Sequence, residues 1–178
     1  MSSVKVKLNW RVLIGFELSW FLLVYFQQLA FWPVLAYLLY GLWQLPSMKA
    51  RYLVLAAAIL GISVDSLLVA TGILSFAQLA WLPLWFILLW AIFALALVEV
   101  MSRFLTKPWL GFALGATGGP LSYIGGAALS DGVMSFPSGV TSYIVLCLVW
   151  GLLGVIFGKI PSLLETSTQQ ELNGSAQK

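Results

Sequence analysis

The sequence has no histidine and a single cysteine, Cys147. Disulfides within the chain, Cys/His zinc sites and histidine-dependent triads are excluded by arithmetic, so neither a metal nor a cofactor is expected. Charge is scarce too: nine Lys and Arg with six Asp and Glu make up 8% of 178 residues, against about 25% in soluble proteins. The isoelectric point is near 9.1, but the nine cations are scattered through short loops. They form no stripe that tracks a phosphate backbone, which excludes nucleic-acid binding.

What is present is apolar. Hydrophobic residues are 61% of the chain and its mean hydropathy is +0.99, more apolar surface than a soluble fold can hide. Nine Trp, six Tyr and eleven Phe suit a bilayer, where amphipathic rings settle at headgroup depth. Lys5, Lys7 and Arg11 precede the first apolar run as in a signal peptide, but the run ends in Gln27-Gln28-Leu29-Ala30 without a small-residue cleavage pattern. It is read as an uncleaved first helix.

Six runs are long enough, or nearly so, to cross about 30 Å of hydrocarbon at about 1.5 Å per helical residue. They extend over Val12 to Ala30, Trp32 to Ser47, Arg51 to Ile73, Leu82 to Phe104, Pro108 to Leu129 and Pro137 to Lys159. Pro33 and Pro83 stand at helix starts, where no N–H bond is lost, and Ser130-Asp131-Gly132 forms a turn signal. No run alternates as a strand would, so a barrel is excluded and helices satisfy the backbone. All nine cations fall before helix one, between two and three, between four and five, or after six. The positive-inside rule then predicts an all-α, multi-pass protein of the bacterial inner membrane, with six spans over residues 1–161 and both termini in the cytoplasm. The stretch 162–178 lacks apolar periodicity and is expected to be a disordered polar tail.

Ionisable groups at membrane depth cost about 2.5–3.5 kcal/mol each and invite a functional question. Asp65 is the deepest, roughly 20 Å along the third run. It is read either as a proton-handling or substrate-contacting group or as an interhelical hydrogen bond. Glu99 stands four residues before Arg103, the spacing of an ion pair on one helical face, and Glu17 lies at comparable depth. Gly111, Gly115 and Gly119 repeat every four residues in the fifth run, and Gly151, Gly154 and Gly158 recur in the sixth, small faces that let helices approach closely. Pro120 cannot bond back to the carbonyl of Ala116, so a helix break is expected there. Beside it, Ser122 and Tyr123 join Asp65 and Ser66 as the candidate polar pocket. The segment GATGGP has neither the spacing nor the lysine of a phosphate-cradling loop.

The stretches Gly61-Ile62-Ser63-Val64-Asp65-Ser66, Leu82-Pro83-Leu84-Trp85 and Gly118-Gly119-Pro120-Leu121-Ser122-Tyr123 with Gly125-Gly126 together resemble the bacterial inner-membrane family designated domain of unknown function 2878, over residues 9 to 160. Members often carry an Asn-His pair near the end of the fourth helix, where this chain has Val98-Glu99. The resemblance implies a link to fatty-acid modification, because relatives tend to be encoded beside cyclopropane-synthase-like proteins.

Three functions compete. In the first, the chain is an accessory or enzyme of lipid modification with a mid-membrane pocket. In the second it is a small transporter or channel with Asp65 and Glu17/Glu99/Arg103 at opposite ends of a polar path, although no internal repeat is evident. The third makes it a scaffold that binds other membrane proteins through the glycine-rich helices. The lipid bilayer is a partner in all three.

Overall fold

A computed structural model describes residues 9–77 and 79–165. Six long helices are present among them: α1 (Trp10–Phe26), α2 (Phe31–Gln44), α3 (Met48–Ala70), α4 (Leu84–Glu99), α5 (Pro108–Leu129) and α6 (Val140–Phe157). Two 3-10 turns, Gln27–Ala30 and Met101–Phe104, and two dipeptide strands, β1 (Ser75–Phe76) and β2 (Met134–Ser135), complete the order. Among the described residues, three helical stretches are long and apolar enough to cross a membrane: Trp10–Gln44, Met48–Ala70 and Val140–Glu165. Leu84–Glu99 is a shorter apolar helix.

The 35-residue stretch from Trp10 to Gln44 is not one rod. It reverses at Gln27, whose φ is +50°. Arg11 at the start of α1 donates to the Tyr40 hydroxyl near the end of α2 at 3.1 Å, and the Tyr37 hydroxyl donates back to the Arg11 carbonyl at 3.4 Å. Both ends of the stretch therefore lie side by side.

Local chemistry sets the next connection. Ser47 caps α3 by accepting from the Ala50 N–H at 3.2 Å, and Arg51 donates to the carbonyls of Leu42 and Trp43 at the end of α2. A cation on a helix C-terminus satisfies orphan acceptors and complements the dipole.

The helices alternate between two ends. At one, Asn9 meets Glu99 and the Lys49 ammonium donates to the Leu163 carbonyl at 2.6 Å. At the other, β1 pairs antiparallel with β2, the Ala77 N–H donates to the Val133 carbonyl at 2.7 Å, and Ser138 and Ser142 hydroxyls donate to the Gly72 and Ile73 carbonyls. Residues 160–165 are helical, so the tail expected from Ser162 is ordered in a helix as far as Glu165; residues 166–178 lie outside the described ones.

The tightest pairing is α5 against α6. A Cβ on Gly111 would stand 2.8 Å from the Gly154 carbonyl oxygen, and one on Gly115 or Gly154 would overlap the backbone of the facing helix. The glycine faces expected to receive another protein are thus turned on each other within the chain, where backbones pack with no side chain between. Pro120 is buried inside α5, and the helix continues through it from Pro108 to Leu129. A proline removes one backbone N–H and leaves the helix's other backbone bonds on either side of it in place.

Candidate functional site

Asp65 lies five residues before the end of α3, and Trp90 six after the start of α4, so the antiparallel pair brings them to one level. Gly61, one turn before Asp65, makes room: a Cβ there would overlap the Trp90 indole. The Trp90 Nε1–H donates to Asp65 Oδ2 at 2.6 Å. Tyr123 of α5 donates its hydroxyl to the same oxygen at 2.5 Å. Asp65 is 0% exposed and its Oδ1 has no partner among the described residues. One carboxyl oxygen thus joins three helices.

An aromatic cluster continues from this knot. Trp90 stacks on Trp150 of α6 with centroids 5.3 Å apart and planes 11° from parallel. Tyr123 and Phe93 meet Trp150 edge-on at 5.8 and 5.5 Å. Gly119 provides the space for Trp150, since a Cβ there would overlap the indole. Edge-to-face and offset stacks favour such pairs beyond their apolar burial.

The front of the cluster faces a cavity. A chamber of about 40 Å³ is lined by Trp20, Trp85, Phe86, Trp90, Tyr123 and Trp150, among others. Through Phe16, Trp20, Phe93, Ser122 and Trp150 it adjoins a groove of about 400 Å³ between α1 and α5, floored by Phe93 and Leu97 of α4. That volume falls in the range of small-molecule sites. Glu17, Leu114 and Gly118 line the groove and are exposed, so it opens on the flank of the bundle. Glu17 is its only charged lining residue among the described ones.

Of the candidate pocket residues, Asp65 and Tyr123 are brought together and Ser122 lines chamber and groove. Asp65 itself stands behind the wall, with Trp90 and Tyr123 between it and the chamber. Ser66 is on an exposed side of α3, away from this knot, its hydroxyl bonded to the Ile62 carbonyl at 2.7 Å.

The expected Glu99–Arg103 pair is not formed. Helix α4 ends at Glu99; Val100 leaves helical geometry at φ −136°, ψ −57°, and Met101–Phe104 wind as a 3-10 turn. The spacing of four that aligns side chains on an α-helix no longer holds. Glu99 Oε2 accepts from the Asn9 amide at 3.3 Å, its Oε1 has no partner among the described residues, and Arg103 is exposed.

Reading the sequence missed Trp20, Trp90, Phe93 and Trp150. One signal was available for Trp90: an indole N–H in the middle of an apolar run needs an acceptor at the same depth, and Asp65 is the carboxylate there.

Fold and site define a helical protein whose long apolar helices are compatible with a membrane and whose core holds one hydrogen-bonded carboxyl beside an aromatic cavity. The chain belongs to the family described as protein of unknown function (DUF2878), whose model matches residues 9–155. No curated protein and no solved structure matches the chain.

Proposed function

We propose that this is a multi-pass inner-membrane protein of six spans with both termini in the cytoplasm, and that the groove between α1 and α5 receives the acyl chain of a membrane lipid whose modification it carries out or assists. The topology is supported by charge: Arg11, Lys49, Arg51, Arg103, Lys107 and Lys159 all belong to the end of the bundle where Asn9 meets Glu99. The opposite loops contain no Lys or Arg.

The observation that carries the lipid reading is the groove itself, apolar and open on the flank where lipid would stand. A ligand there enters sideways from the bilayer and reaches Ser122 and Tyr123 at the inner end. Asp65 acts through Tyr123 and Trp90, holding both rings in the chamber wall.

Lipid profiles of a deletion strain under membrane stress test this. Altered acyl-chain composition is expected, restored by the wild-type chain but not by Gly118→Trp, which fills the groove mouth. Profiles unchanged by deletion would overturn the reading.

A further inference from the structure

Glu17 sets a chemical requirement on whatever enters the groove. It stands six residues beyond Arg11 in α1, about 9 Å along the helix, so it is set back from the charged end. The side chain is exposed on the groove and, among the described residues, has no hydrogen-bond or ion-pair partner. A carboxylate at membrane depth is retained where a cation or water meets it.

The surrounding walls select between those two. Phe16 and Trp20 flank Glu17 on α1, and Phe93 and Trp150 face across. Phe16 and Phe93 have centroids 5.8 Å apart, and Phe93 and Trp150 5.5 Å. Aromatic faces are negative at the ring centre and attract organic cations, especially where water is displaced, whereas a hydrated inorganic ion gains little from them. On α5 the wall is open at Gly118, where a Cβ would meet nothing within 4 Å, while Gly115 and Gly119 beside it are covered by Trp150 of α6. From Leu114 to Ser122 this wall runs about 12 Å along α5, room for part of an extended alkyl chain.

Resting on the lipid reading above, we infer that the groove is selective for amphiphiles with an ammonium headgroup, the cation held by Glu17 and the aromatic rim and the chain lying along the glycine wall of α5 toward Tyr123. Glu17 is thus a specificity residue and no part of the buried core, so its substitution leaves the fold intact.

The test uses the full chain purified in nonionic micelles, with binding of three twelve-carbon probes followed by native mass spectrometry: dodecyltrimethylammonium, dodecanol and dodecyl phosphate. The cationic probe is expected to bind about tenfold more tightly than the other two. Glu17→Gln is expected to remove that preference while dodecanol binding stays, and Gly118→Trp to weaken all three. Equal binding of the three probes by the wild type, or a preference that survives Glu17→Gln, would overturn the inference and leave the lipid groove standing. Failure of every probe to bind, or binding unaffected by Gly118→Trp, would overturn the groove together with it.

Discussion

The hydroxyl of Tyr123 donates to Asp65 Oδ2 across 2.5 Å, linking α5 to α3 over 58 positions of chain. The same oxygen accepts from Trp90, so removing it orphans two donors in a site without water access.

Asp65→Ala is expected to destabilise the protein by several kcal/mol, since each unsatisfied buried donor costs about 1–3 kcal/mol. Asp65→Asn keeps an acceptor in place and should cost less. Tyr123→Phe removes one bond only, about 1 kcal/mol. Thermal melts in detergent give the order, and the double variant Asp65→Asn/Tyr123→Phe should be less destabilised than the sum of the singles. Additive effects would show that the two residues do not interact.

The α5–α6 contact makes a graded prediction. Gly115→Ala would drive a methyl into the Trp150 carbonyl, and Gly154→Ala one into that of Gly111. Backbone cannot yield as a side chain does, so each is expected to cost at least about 1–3 kcal/mol. Gly118→Ala, three residues from Gly115, meets open space and should shift the melt by less than about 0.5 kcal/mol.

At the charged end, Asn9→Leu should lower stability by about 1 kcal/mol, because it leaves Glu99 without its hydrogen bond. Arg103→Ala should be neutral within about 0.5 kcal/mol, as expected of an exposed side chain. A larger effect of Arg103→Ala would restore the ion pair that the end of α4 removes.

Topology is open to chemical tagging. In a Cys147→Ala background, Ala80→Cys lies in the loop between α3 and α4, and Lys107→Cys immediately before α5; both positions are exposed. A membrane-impermeant maleimide should label Ala80→Cys in intact spheroplasts and Lys107→Cys only after the membrane is opened. The reverse pattern, or labelling of both, would refute both termini being cytoplasmic.

Much of the helix plan was legible where punctuation is strong. Pro108 and the Ser130-Asp131-Gly132 turn bracket α5, and the structure places it at Pro108–Leu129, as read. The end of α4 was illegible because no Gly or Pro stands between Val98 and Phe104 to mark where the backbone changes from α to 3-10 at Val100. Composition carries no mark of that change, and the Glu99–Arg103 spacing pointed the other way.

The sequence by itself determined that the helices are apolar, that one carboxyl lies deep among them, and that glycines recur at close-contact spacing. These follow from residue type and periodicity along one helix. Only the tertiary structure decided what each feature faces: Asp65 faces Trp90 and Tyr123 behind a wall, Gly111, Gly115 and Gly119 face α6, and Glu17 faces the groove. The reason is geometric. Nearly uniform apolarity around each helix gives the chain no amphipathic stripe to mark an inner face, so shape and a few hydrogen bonds select the partners.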